Sequence, residues 1–379
     1  MVVTNNQGGP VRKIASRVAK VKAESLGLDV HQGITAFCLL GRNGDEVEAG
    51  RIDGGREALE ALLDRVVGRK KTHVSLEACG GSLWVYDLLV ERYGRERVHI
   101  AHARKVAAIA NSREKNDAND AFWLAYLTLE GRLPESYIPE GAYRELRVAT
   151  RERYRAVMAL ATDIRLVKCH FRQMGVKPPV KNLKSVKGSA FVRDMAERTE
   201  GSLGLALQAA VRRLDAAALE VAQWNARIME IVKDLPEVAR IQEAIPAMGP
   251  VLAAMVVAEA GPISRFHSAK ALAKYTGLTP TDRSTGGRMI HGGISREGSP
   301  WLRWALMQAV TLCGMRREGA EAAVRTWVEA KQKRMGCRAK AKVAAANKLV
   351  KAIWRLEHQP EGFDAARPFG GVPAKVKAA

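Results

Sequence analysis

Three strand-like runs in direct succession, followed by a regular alternation of helix and strand, fill the first third of this chain. That order restricts the fold more than any other feature of the sequence. Leu26-Gly27-Leu28-Asp29-Val30 and Ile34-Thr35-Ala36-Phe37-Cys38-Leu39-Leu40 read as two strands around a short turn. Glu46-Val47-Glu48-Ala49-Gly50-Arg51-Ile52 reads as a third, after the turn Arg42-Asn43-Gly44-Asp45. A helix is expected over Arg56–Val67, with Ala58, Leu59, Leu62, Leu63 and Val66 on one stripe. The strand His73–Ala78, a helix at Leu83–Tyr93, the strand Arg97–Ala101 and one long helix complete an α/β domain.

Acidic residues interrupt this apolar pattern at telling places. Asp29 lies in the first strand and Glu77 near the end of the fourth, and a carboxylate in such a strand is costly to bury without a partner. In Lys115-Asn116-Asp117-Ala118-Asn119-Asp120-Ala121 the two aspartates sit at i and i+3, so a helix presents both on one face. The run Ala121-Phe122-Trp123-Leu124-Ala125-Tyr126-Leu127 is apolar enough to bury that helix. Alone, such a pair reads as two solvated acids. Beside Asp29 and Glu77 it reads as a site for a hard divalent cation, Mg²⁺, which takes oxygen ligands. Four convergent carboxylates fit two-metal phosphoryl transfer, one ion activating the attacking oxygen and one stabilising the leaving oxygen. His31, two residues after Asp29, falls on the same strand face and is either a neighbour of this site or a structural turn residue.

The 379 residues suffice for two or three domains, and a hydrophobic fraction of 47% fits globular cores. Lys and Arg number 61 against 40 Asp and Glu, giving a net charge of +21. That field attracts polyanions, nucleic acid foremost. Acidic membranes come second, because no apolar run is read as long enough to span a bilayer. The polar, basic stretch 1–25 lacks an apolar secretory core and reads as a flexible arm. Cys38, Cys79, Cys169, Cys313 and Cys337 are scattered, without metal-ligand spacing, and read as small buried residues in a reducing cytoplasm.

A long helix is expected from Ala142 to Met174, with Val157, Leu160, Ile164, Val167, Phe171 and Met174 forming a heptad seam. A second seam runs through Val211, Leu214, Ala218, Val221, Asn225, Ile228, Val232 and Leu235, with Asn225 as a register or partner specifier. The basic, proline-punctuated segment Gly175–Lys184 connects them. Arg151, Arg153, Arg155, Arg165, Lys168 and Arg172 lie on the first helix. The pair is either an internal hairpin or a projecting coiled coil that meets another subunit and nucleic acid. Further on, Ile245-Pro246-Ala247-Met248-Gly249-Pro250 has the form of a helix-hairpin-helix turn. The stretch Tyr275–Arg288 combines hydroxyls, paired glycines and the cations Arg283 and Arg288, the elements of a phosphate site; Ser295 and Ser299 read as turn or cap residues. Arg296, Lys340, Lys342 and Lys348 are further candidates for phosphate contact, and the chain from Pro360 reads as a poorly ordered tail.

Three strings, Gly27-Leu28-Asp29-Val30-His31, Leu76-Glu77-Ala78-Cys79-Gly80-Gly81 and Asn116-Asp117-Ala118-Asn119-Asp120-Ala121, are similar to those of the DEDD insertion-sequence transposases. That family includes the Piv-type DNA invertases and the bridge-RNA-guided recombinases. The strand order and acid placement resemble the RNase H fold in its RuvC variant. The resemblance implies an RNase H-like domain at 26–140, a coiled-coil hairpin at 141–235, a mostly helical transposase domain at 236–360 and a tail at 361–379. It implies that Asp29, Glu77, Asp117 and Asp120 hold one or two Mg²⁺ ions. In the family's C-terminal domain a serine directly before the first glycine is the nucleophile. Here Thr285 precedes Gly286 and Ser284 comes before it; the less hindered primary hydroxyl favours Ser284, with Thr285 as the alternative. The implied reaction passes through a covalent phosphoserine, with duplex target and donor DNA as substrates, a non-coding guide RNA, and dimers paired into a tetramer. Two rivals stand beside it: a metal-dependent nuclease or junction resolvase that uses water, and a non-catalytic basic nucleic-acid-binding protein.

Overall fold

Residue parity along the first strand, β1 (Ser25–Val30), organises the N-terminal unit. Leu26 and Leu28 point to one face of the sheet, leaving Gly27 and Asp29 on the other. β2 (Ile34–Leu40) runs antiparallel to β1, and β3 (Glu46–Asp53) antiparallel to β2. After α1 (Arg56–Val66) comes β4 (His73–Glu77), parallel to β1; after α2 (Ser82–Tyr93) comes β5 (Val98–Ala101), parallel to β4. The strand order is β3-β2-β1-β4-β5, a mixed sheet consistent with the expected RNase H-like architecture. The described residues form α3 (Ala103–Ala110) and α4 (Asp117–Leu129), and α4 carries both aspartates; the rest of the expected long helix, 111–116, lies outside the described residues.

In this computed structural model the described residues are 24–67, 72–110, 117–285 and 288–370, with backbone alone at 110 and 282–291. The expected basic arm up to residue 23, Asn116, Gly286, Gly287 and the last nine residues of the expected tail lie outside them. The chain divides into two compact units after Ile138.

Each face of the first sheet has its own core. Leu26, Leu28, Phe37, Leu39, Val74 and Leu76 pack under α1 and α2 against Leu59, Leu63, Val85 and Leu89. On the other face Ala36, Cys38 and Leu40 meet Ala121, Phe122, Ala125 and Leu129 of α4. The residues beneath α4 are small because the helix lies almost on the strand. A Cβ on Gly27 would stand 2.0 Å from the Ala121 carbonyl oxygen and 2.7 Å from the Ala125 nitrogen. At the far end of the sheet the His73 and His99 rings share a hydrogen bond of 2.9 Å, and His99 Nδ1 lies 2.6 Å from Glu135 Oε1.

Among the described residues the second unit is helical apart from one hairpin. α5 (Gly141–Gln173) and α7 (Gly201–Ile231) run antiparallel: Leu146 and Ala149 share a core with Ile228 and Ile231, and Val167 and Phe171 share another with Leu207 and Ala210. An unanticipated helix, α6 (Val186–Arg198), completes the far end with Val192 and Ala196. On α7 Ala217 is buried where the expected seam had Ala218, which is exposed. The near end does not stop at residue 235. Its core continues through α8 (Pro236–Ala244), α9 (Gly249–Ala260), α10 (Ala269–Tyr275), α11 (Pro300–Cys313), α12 (Gly319–Met335) and α13 (Arg338–His358). The hairpin base and the C-terminal helices therefore share one core instead of two.

Several basic residues of α5 are engaged inside this unit. Arg151 forms a two-pronged pair with buried Glu259, at 2.7 and 2.9 Å, and Ser299, the N-cap of α11, donates to the same carboxylate at 2.7 Å. Arg153 donates to Asn225 at 3.1 Å, which gives the polar seam residue a partner within its own chain. The stretch Pro246–Arg265 is long and apolar enough to cross a membrane, contrary to the sequence reading, but 67% of its most apolar window is buried. The expected Ser/Thr/Gly loop is instead an antiparallel hairpin, β6 (Pro280–Thr285) and β7 (Arg288–Ile294). Ala366 and Phe369 are buried in the core, so chain order reaches well past the expected start of the tail at Pro360. Only Cys38 and Cys313 of the five cysteines are buried, and burial pushes both thiols up to about 12.

Replacing Gly27 with alanine forces α4 off β1 and should destabilise the protein by about 2–4 kcal/mol. Urea unfolding checks this against Gly80→Ala, where an added Cβ meets nothing within 4 Å and stability should be nearly unchanged.

Candidate active site: a cleft of carboxylates

The C-terminal ends of parallel strands and the start of α4 meet at one edge of the first sheet. Asp29 is the fifth residue of β1, Glu77 the last of β4, and Asp117 and Asp120 occupy the first turn of α4. Asp29 and Glu77 share the sheet face that α4 covers, by the two-residue period of their strands. All four line one cleft of about 700 Å³, together with His31, Thr35, Cys79 and Trp84.

Within the cleft one group is tighter than the rest. Candidate ligand atoms of Asp29, His31 and Asp117 all lie within 4.8 Å of one another, while Glu77 and Asp120 line the same wall outside that group. His31 Nε2 is 3.1 Å from Asp29 Oδ2 and 3.9 Å from Asp117 Oδ1. Arg51 Nη2 is 3.2 Å from Asp117 Oδ2. Burial pushes the Asp29 carboxyl above its ordinary range; His31 opposes that shift, and the negative Asp120 and Asp117 add to it. Clustered carboxylate oxygens, one of them held neutral-leaning by burial and like charge, suit a hard divalent cation. Such a cation would relieve the repulsion that the acids impose on each other.

The other expected site residues lie in the second unit. Ser284 and Thr285 close β6, opposite Met289 and Arg288 of β7, so both hydroxyl candidates sit at the tip of the hairpin with Arg283 and Arg288. Arg296 is exposed just beyond β7, with a left-handed backbone, φ 57°. Lys340 is exposed on α13. Lys342 and Lys348 are engaged internally: Lys342 Nζ donates to Thr311 Oγ1 at 3.1 Å, and Lys348 Nζ donates to the Pro368 carbonyl at 2.7 Å and lies over the Trp327 ring. Their expected role as nucleic-acid contacts thus competes with a visible packing role. Sequence reasoning missed Cys79 and Trp84 as cleft residues and Arg51 as the ion-pair partner of Asp117. Arg51 lies on the edge strand β3, between Asp29 and Glu77 in the chain, and only the pairing register gives a signal for it.

The sequence matches two family models. Residues 26–175 match a transposase family of the DEDD IS110 type, and residues 239–325 match the transposase IS116/IS110/IS902 family. A probable family 20 transposase of Pseudomonas aeruginosa is 24% identical over 75% of this chain and 83% of its own length. The transposase for insertion sequence element IS1111A of Coxiella burnetii is 22% identical over 89% of this chain and 90% of its own length. A putative transposase of Sinorhizobium fredii, y4pF/y4sB, is 28% identical over 89% of this chain and 85% of its own length.

The raised Asp29 carboxyl has a stability consequence with a definite sign. Between the ordinary value of 3.8 and its higher folded value, the folded chain binds a proton that the unfolded chain does not. Stability from this group is therefore gained as pH falls through that window, and above it the ionised, buried acid is a cost. Asp29→Asn should melt higher than the wild type at pH 7 in EDTA, with the gap closing toward pH 4. Thermal unfolding across that range checks it.

Proposed function

Because the chain belongs to the DEDD insertion-sequence transposases of the IS110 type, we propose that it moves DNA by metal-assisted strand cleavage through a covalent seryl–DNA linkage. The observation that carries the reading is the convergence of Asp29, Glu77, Asp117 and Asp120 on one cleft from three separate elements. Asp29 and Asp117 would hold the divalent cation, with Glu77 and Asp120 in the same cleft as further candidate ligands. Mg²⁺, once bound, supplies positive charge to the scissile phosphate and to the oxygens that enter and leave it.

Ser284 supplies the nucleophile, with Thr285 as the alternative. Its Oγ bonds to phosphorus as the bond from phosphorus to one deoxyribose oxygen breaks, and its proton passes to solvent or to a base of the cleft. A sugar hydroxyl of the exchanged strand then attacks the same phosphorus and releases the serine, so the number of phosphodiesters is conserved. The mechanism requires the β6–β7 tip of one chain to meet a carboxylate cleft, its own or that of another copy. Arg283, Arg288 and Arg296 then offset phosphate charge, and the net charge of +21 supports binding of duplex target and donor DNA. A non-coding guide RNA that selects those sites, dimers that pair into a tetramer, and action in the cytoplasm on the bacterial nucleoid belong to the same reading. They rest on the resemblance of the three acidic strings and of the Tyr275–Gly298 stretch.

Asp117→Asn should reduce Mg²⁺-dependent cleavage of a cognate element end by at least about 10²-fold while DNA binding persists. Unchanged cleavage would remove the carboxylate cleft from the chemistry. In a denaturing-gel assay for trapped adduct, Ser284→Ala should eliminate the protein–DNA band and Thr285→Ala should retain it. The reverse pattern reassigns the nucleophile, and full cleavage without adduct in both variants leaves a water-using nuclease.

A further inference from the structure

Arg51 reaches the carboxylate cleft through a feature of the sheet that the acidic motifs do not contain. Asp29 on β1 pairs with Ala36 on β2, and Ala36 pairs with Arg51 on β3, so the three form one cross-strand row. Directly paired residues share a face, and this is the face that α4 covers. Neighbouring strands are about 4.8 Å apart, which starts Arg51 about 10 Å from β1. An extended arginine covers that distance only if nothing bulky stands between, and the middle residue is alanine. The guanidinium arrives at Asp117, 3.2 Å from Oδ2, while Oδ1 of the same carboxylate faces His31 at 3.9 Å.

This ion pair is poorly explained as a stabilising contact. The Arg51 side chain is 52% exposed and that of Asp117 38%, and pairs screened to that degree contribute little to stability. Its position is more informative. Asp117 belongs to the tight group with Asp29 and His31, so Arg51 grips one of the carboxylates best placed to hold a cation. A fixed positive charge there opposes a second positive charge arriving at the same acid. A guanidinium released from it would be a planar, two-pronged donor beside the cation, suited to phosphate oxygens.

We propose that Arg51 is a positioning residue of the cleft: it holds Asp117 while the site is metal-free, competes with the divalent cation for that carboxylate, and on displacement turns to an oxygen of the DNA phosphate. The inference rests on the metal-binding reading given above. It adds a residue from β3 and an order of events: metal first, then phosphate.

The test is Mn²⁺ binding to the full chain without DNA, measured by calorimetry, for wild type, Arg51→Gln, Arg51→Lys and Asp117→Asn. Competition predicts that Arg51→Gln binds Mn²⁺ about three- to ten-fold more tightly, and that Arg51→Lys, which keeps the charge, stays within about two-fold of wild type. A purely structural role would leave affinity unchanged or weaken it, and either result in Arg51→Gln overturns the proposal. If wild type shows no Mn²⁺ binding that Asp117→Asn removes, the metal reading falls and this inference with it. Binding that depends on Asp117 but ignores Arg51 sinks this inference alone. At saturating Mn²⁺, Arg51→Gln should still cleave DNA about ten-fold more slowly, and an undiminished rate overturns the phosphate step.

Discussion

The close approach of α4 to β1 at Gly27 is the contact on which the site depends. A helix usually stands off a sheet by the thickness of two side-chain layers. Here the carbonyl of Ala121 lies where a Cβ of residue 27 would be. Alanines at 36, 121 and 125 continue the thin layer on either side. Because the helix is pressed down at its N-terminal half, its first turn comes level with the ends of β1 and β4. The carboxylates of Asp117 and Asp120 are thereby brought to those of Asp29 and Glu77. The apolar packing around Gly27 thus fixes the geometry of the four carboxylates.

That arrangement carries an electrostatic load. Several acids share a cleft, and burial adds to the cost of ionising Asp29. The structure meets part of the load with His31 and Arg51, drawn from the β1–β2 turn and from the sheet edge. None of these is a dedicated, buried salt bridge. Both side chains are exposed, which suits the metal and phosphate binding proposed above. The pair of Arg151 with buried Glu259 in the second unit is the contrast: two-pronged, further bonded by Ser299, and tying α5, α9 and α11 together. Burial and multiplicity of partners separate a structural ion pair from one poised to exchange.

Charge along the second unit has to be read with the same distinction. The run of basic residues on α5 invites a nucleic-acid reading from sequence, yet Arg147, Arg151 and Arg153 are bonded to α9 and α7. Lys342 and Lys348 likewise hold Thr311 and the Pro368 carbonyl. A cation serving a helix end or a neighbouring carbonyl looks, in the sequence, the same as one facing solvent. The long hairpin gives a parallel case. Its far end closes with its own core around α6, while its base merges with the C-terminal helices, so helical periodicity located the helices without showing where a core ends.

Much of the first unit was legible because local rules act strongly there. Alternating apolar residues, turn residues such as Asn43 and Gly44, and the helical stripe at Leu59, Leu62 and Leu63 mark β1 to β5 and the helices α1 and α2 nearly to the residue. Asp29 and Glu77 stood out equally, since a lone carboxylate in an apolar strand contrasts with its neighbours, while Asp117 and Asp120 were marked only by their i, i+3 spacing. The β6–β7 hairpin and the packed segment at Phe369 were not legible, because each is settled by tertiary partners that override weak local preference. The sequence by itself determined which residues could do chemistry and which strands would carry them, through side-chain type and period. Only the tertiary structure decided that Gly27 lets α4 descend, that Ala36 leaves a path for Arg51, and that His31 faces Asp29, since register and helix height depend on contacts between segments distant in the chain.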